Sequence, residues 1–109
     1  MLILKTDQFK KDFKKLLKRY KTLDEDFNFF KKIIKKEPLG NGSKHWNILV
    51  EKDETFYVLK SRMSCRTINR GSLRVIYLFS KEENKILFIE IYSKSDKDRE
   101  DSKRFDEIF

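Results

Sequence analysis

The chain has 109 residues and carries 26 Lys and Arg against 18 Asp and Glu, a formal net charge of +8. That length fits a single domain over 1–109, and the basic excess favours a polyanion or an acidic protein as partner. The sequence excludes a helical membrane span, having no apolar run of about 18 residues, while a lone cysteine, Cys65, excludes an internal disulfide and suits a reducing cytoplasm.

Only 39% of residues are hydrophobic, but they include ten Phe, four Tyr and one Trp. Each buried ring removes roughly 150–250 Å² from water, enough to give so short a chain a compact core. The apolar start of MLILKTDQF is too short for a signal peptide, and residues 2–5 read as a first strand. In TDQFKKDFKKLLKRY, the residues Phe9, Phe13, Leu16 and Tyr20 recur at helical spacing on a basic cylinder, with Thr6 as N-cap. TLDE then reads as a capping box, Thr22 capping and Glu25 reaching back. A second helix follows, with Phe27, Phe30, Ile33 and Ile34 on its buried side. Pro38 and the glycines at 40 and 42 end it, and the short joint between the helices predicts a hairpin.

After Gly42 the apolar period changes from 3.6 to 2. HWNILVEK and TFYVLKSRM read as strands joined by a turn at Asp53 and Glu54, and SLRVIYLF and KILFIEIYS as a second hairpin across SKEEN. The last stretch, DKDREDSKRFDEIF, is helix-compatible, with Phe105, Ile108 and Phe109 as its apolar grip. The predicted fold is α+β: an N-terminal strand and a helical hairpin packed on a mainly antiparallel sheet of four or five strands, followed by a C-terminal helix.

One window departs from the mixed charge of the rest. Thr55 to Ser80 contains no Asp or Glu, and RMSCRTINRGSLRVIY holds four arginines: Arg62, Arg66, Arg70 and Arg74. Lys60 and Arg62 share a face if their strand is regular, and Arg74 points away from Leu73 and Val75. These cations therefore line up on the sheet face that the helices leave uncovered. Lys94 and Lys97 follow the last strand, and aromatics interleave, with Tyr92 as the candidate for base stacking.

Other chemistry finds little support. Arg62 and Arg66 flank Cys65, which favours its thiolate, but the only histidine, His45, is not paired with it by any pattern, so Cys–His catalysis is not expected. Asp96, Asp98, Glu100 and Glu107 fall at calcium-loop spacing, yet Asp101 stands where that loop needs Gly. No metal site, small-molecule cofactor or phosphate-binding glycine loop is expected.

RGSLRVIYLF followed by KILFIEIYSKSDK resembles the RelE/ParE-type toxins of bacterial toxin–antitoxin pairs, whose central strand carries Arg-Val-Ile-Tyr after a Gly. The β–α–α start and the size fit that family too. The resemblance implies a metal-independent endoribonuclease, an mRNA interferase that cleaves mRNA, often on the ribosome, and is silenced by a cognate antitoxin in the cytoplasm. It places Arg74 at the family's central-strand arginine and Lys94 at its basic residue after the last strand. Lys60, Arg62 and Arg66 correspond more loosely to cations of the preceding strand, which completes the expected catalytic set, and Arg70, Lys97 and Tyr92 are expected to contact RNA. The sequence departs at its C-terminus, where Arg104 and Phe105 stand in place of the family's frequent Tyr or His. Two alternatives stay open: a ParE-like toxin that poisons DNA gyrase, and a non-catalytic basic RNA-binding module.

Overall fold

A computed structural model describes residues 1–40, 42, 44–68 and 72–106. Strand β1 spans Leu2–Lys5, helix α1 Asp7–Arg19 and helix α2 Leu23–Lys36. Four strands follow: β2 (Trp46–Lys52), β3 (Phe56–Met63), β4 (Leu73–Ser80) and β5 (Lys85–Ser93), then a last turn of helix, α3 (Lys103–Asp106). The α+β architecture expected from the sequence is present, with the sheet at five strands.

Local chemistry explains most of these boundaries. Thr6 caps α1 by accepting a hydrogen bond from the Phe9 N–H at 3.1 Å. The expected capping box at α2 is absent: Thr22 makes no side-chain cap bond. Its hydroxyl donates instead to Asp26 at 2.8 Å, and Glu25 turns outward to Arg66 at 2.5 Å. An ionised guanidinium holds that carboxylate more strongly than a neutral amide would. Asp53 and Glu54, both at left-handed φ, close the β2–β3 hairpin, the Thr55 N–H donating to the Lys52 carbonyl at 3.0 Å.

The sheet order is β1-β5-β4-β3-β2, parallel between β1 and β5 and antiparallel elsewhere. Helices α1 and α2 lay Phe9, Leu23, Phe27 and Ile34 on one face, against Leu59, Tyr77 and Phe88 of the strands. The β4–β5 register slips by one residue: Ile76 pairs with Glu90 but Tyr77 with Phe88, leaving Ile89 as the extra residue of a bulge. Before it, the even positions Ile86 and Phe88 face the helices; after it Ile91 does. Tyr92 is thereby turned to the second face. There it joins Val58, Ile76, Leu78 and Phe105.

The C-terminal segment corrects the sequence reading. Residues 94–102 run as turns and bends, and the expected C-terminal helix is reduced to the four residues of α3. Short polar side chains explain this, since they offer the backbone alternatives to a helix: the Ser93 hydroxyl accepts from the Ser95 N–H at 3.3 Å, and Glu90 accepts from the Asp101 N–H at 2.8 Å. Phe105 anchors the segment in the second-face cluster, while Ile108 and Phe109 lie outside the described residues. The face expected to be uncovered is thus covered over part of its extent. Among the described residues, no helix is long and apolar enough to cross a membrane.

Candidate cationic site

Strand register brings the central arginines together. On the second face Arg62 stands directly opposite Arg74, and Arg74 opposite Tyr92; one row along, Lys60 stands opposite Ile76, and Ile76 opposite Glu90. Like charges placed directly across a strand pair are destabilising, and among the described residues neither arginine makes a salt bridge to a carboxylate. Arg74 instead donates to the Ser72 hydroxyl at 2.6 Å and, more weakly, to the carbonyls of Ser72 and Leu73. Burial and the neighbouring Arg62 charge pull its pKa down, against a smaller opposing effect of Tyr92. A cation held without a compensating anion, and oriented by neutral donors and acceptors, is a ready anion site.

These two arginines line a polar pocket of about 160 Å³ together with Lys44, His45, Asn47, Lys60 and Lys94. Among the described residues, seven line it; five of these are Lys or Arg and none is acidic. The bulge in β5 is what carries the exit of that strand, and with it Lys94, toward this face. The Lys94 ammonium donates to the Asp98 carbonyl at 3.3 Å, a neutral acceptor that leaves its charge in place. Lys60 is different: it pairs with Glu100 at 3.0 Å, both side chains being largely buried. Burial would raise the Glu100 carboxyl, but a backbone N–H, the Lys60 bond and charge, and Arg99 hold it below its ordinary value.

The structure assembles four of the five residues expected to be catalytic, Lys60, Arg62, Arg74 and Lys94, and sets the fifth apart. Arg66 points to α2, where its Nε meets Asp26 at 2.8 Å and its Nη2 meets Glu25. Arg70 lies outside the described residues. Lys97 reaches Glu90, which is 1% exposed. Of the acidic residues next to Lys97 in sequence, Asp96 pairs with Arg19 at 2.6 Å and Glu100 with Lys60.

Tyr92 also needs correction as a stacking platform. Its ring is 5% exposed, with the Lys97 ammonium 5.1 Å from the ring centroid, which leaves no open face for a base. Its hydroxyl is buried with no hydrogen-bond partner among the described residues. Burial, then the charges of Glu100 and Glu90, push its pKa up to about 12, against the pull of Arg74. Arg104, at the position where the sequence departs from the family pattern, pairs with Asp12 of α1 at 2.6 Å. Cys65 is buried beside the hydroxyls of Thr22 and Thr67.

The sequence reading missed His45, Lys44 and Asn47. The His45 carbonyl accepts from the Arg62 N–H at 3.0 Å, which sets the histidine at the rim beside the arginines. Counting back from the Asp53–Glu54 turn would have signalled this, because an antiparallel hairpin brings residues 45 or 46 opposite Arg62. Among the described residues, no three His, Cys, Asp or Glu side chains converge as metal ligands. No protein-family model matches the chain, and no curated protein matches it.

Proposed function

We propose that the chain is a toxin of the RelE/ParE type that acts as an endoribonuclease on mRNA in the cytoplasm, with an acidic antitoxin as its silencing partner. The observation that supports this reading is the acid-free pocket in which Arg62 and Arg74 stand opposite each other beside Lys94 and His45. Cleavage within RNA requires the 2′-hydroxyl to lose a proton, the phosphorane to be stabilised as a dianion and the leaving 5′-oxygen to gain a proton. Arg62 and Arg74 supply fixed positive charge for the dianion, which costs no reorganisation at the moment of reaction. The imidazole of His45 and the ammonium of Lys94, which line the same pocket, carry the proton transfers in this reading. In this reading the bond that forms is 2′-O–P, the bond that breaks is P–O5′, and the products carry a 2′,3′-cyclic phosphate and a 5′-hydroxyl.

The test is incubation of the purified chain with single-stranded RNA in chelator, with end-group analysis, alongside mapping of mRNA 5′ ends in cells expressing it. Cyclic-phosphate ends from the wild type and none from Arg74→Ala are the expected result. Growth arrest with gyrase inhibition and intact RNA would transfer the protein to the gyrase-poisoning class. RNA binding with neither cleavage nor arrest would leave a basic RNA-binding module.

A further inference from the structure

Arg62 lines a second hollow as well as the cationic pocket. This hollow measures about 150 Å³ and is walled by Phe29, Phe30 and Ile33 of α2, Trp46 of β2 and Met63 of β3. Phe29 is 67% exposed, an unusual position for a ring on a helix whose other aromatics, Phe27 and Phe30, are buried. Trp46 opposite it is closely backed: a Cβ built on Gly40 would lie 2.6 Å from the indole Cγ, so Gly40 lets the backbone pass directly behind the indole. The two rings belong to different elements: Trp46 is half-buried with one side against the sheet–helix core, and Phe29 stands outside that core.

We propose that this hollow holds one base of the RNA strand whose phosphate occupies the cationic pocket, with the base ring lying against Phe29 and Trp46. The inference rests on reading that pocket as a phosphate site. Continuity through Arg62 supports it, since one residue borders both cavities. Size supports it too: the volume lies below the roughly 300–1,000 Å³ of sites for larger ligands and suits a single flat ring system. Ser64 at the margin offers polar atoms to the edge of a base. Every base has a π face, so a site of this kind binds with little sequence preference. It also takes over the stacking role that the buried ring of Tyr92 leaves open.

Trp46 is the only tryptophan in the chain, so its fluorescence reports on the hollow directly. The full chain is titrated with uridine 5′-monophosphate and with ribose 5-phosphate, which shares the anion and lacks the base, and affinities are measured by calorimetry in parallel. The nucleotide is expected to quench Trp46 saturably and to bind more tightly than ribose 5-phosphate. Phe29→Ala is expected to weaken nucleotide binding about tenfold while leaving ribose 5-phosphate unchanged, and Arg74→Ala to weaken both. Equal affinities for the two ligands, or unchanged nucleotide binding in Phe29→Ala, would overturn the base site and leave the phosphate site standing. Binding of neither ligand would overturn both readings. Saturable quenching by an apolar peptide, with none by the nucleotide, would assign the hollow to a protein partner and overturn the proposal.

Discussion

Lys60 and Arg62 stand two residues apart on the same face of β3, yet they end in opposite electrostatic surroundings. Lys60 meets Glu100 at 3.0 Å, whereas Arg62 meets another arginine across the strand pair. The same division runs along the face. Toward the C-terminal segment, Lys97 is matched by Glu90, and Arg104 by Asp12. Toward the start of β2, Arg62, Arg74 and Lys94 border a pocket with no acidic lining. Positive charge on this face is thus of two kinds among the described residues, one holding the segment after β5 and the other without a paired carboxylate. Residue type does not separate them; a carboxylate within reach does, supplied by β5, by α1 or by the segment after β5.

The strongest way to break this comparison is to remove a cation from the uncompensated side. Arg74→Ala is expected to lower kcat for RNA cleavage by about 10²–10³-fold with an unchanged unfolding midpoint; unchanged turnover by a folded variant would end the assignment. The next contrast pairs the two lysines after β5. Lys94→Ala is expected to lower kcat by about 10²-fold and leave stability alone. Lys97→Ala is expected to leave RNA affinity and kcat near wild type but to cost about 1–3 kcal/mol in denaturant unfolding, because Glu90 loses its charged donor inside the protein. If both lysines behave as binding cations of equal weight, the division of the face is wrong.

A smaller effect comes from moving the boundary. Glu100→Gln removes the anion that holds Lys60, and it is expected to tighten RNA binding several-fold while steepening its salt dependence by about 0.7 in the log–log slope. Filter binding across a salt series measures both, and an unchanged slope would show that Lys60 does not reach RNA even when released.

The smallest effect concerns the cation that lies outside the site. Burial would raise the Asp26 carboxyl, but hydrogen bonds from the Arg66 backbone, the Thr22 hydroxyl and the Arg66 guanidinium together hold it below its ordinary value. A depressed carboxylate contributes stability above its unfolded pKa and loses it as pH falls through the folded value. Unfolding free energy should therefore decline below about pH 4, the ordinary range of Asp, and Arg66→Ala should flatten that decline while RNA affinity at neutral pH stays the same. A change in affinity with the acid profile intact would return Arg66 to the site.

Periodicity was enough to read the helical stripes, the two hairpins and the facing of Lys60, Arg62 and Arg74, because each depends on spacing within one element. The partners of those cations depend on segments far apart in sequence. Lys60 meets Glu100 across forty residues and Arg104 meets Asp12 across ninety-two, and no local rule anticipates either. Tyr92 was misjudged for a related reason: its neighbours suggested an exposed strand residue, but the chain after β5 folds back and Phe105 joins the cluster around it. The cap at α2 failed because Arg66, far along the chain, outcompeted a local hydrogen bond. His45 was overlooked because its importance comes from the residue opposite it, not from its own neighbours.

The bulge at Ile89 divides β5 into two stretches with different tolerance to change. Upstream, Ile86 and Phe88 are locked into the helix-facing core, so alterations there are felt as packing. Downstream, the parity is reversed, and the same strand delivers Glu90, Tyr92 and Lys94 to the charged face. The extra residue works like a shift of reading frame in the pleat. Pairing Ile89 into a regular ladder, with no bulge, would keep every side chain of the site in the sequence while turning Glu90, Tyr92 and Lys94 toward the helices, whereas deleting Ile89 would leave them on the charged face.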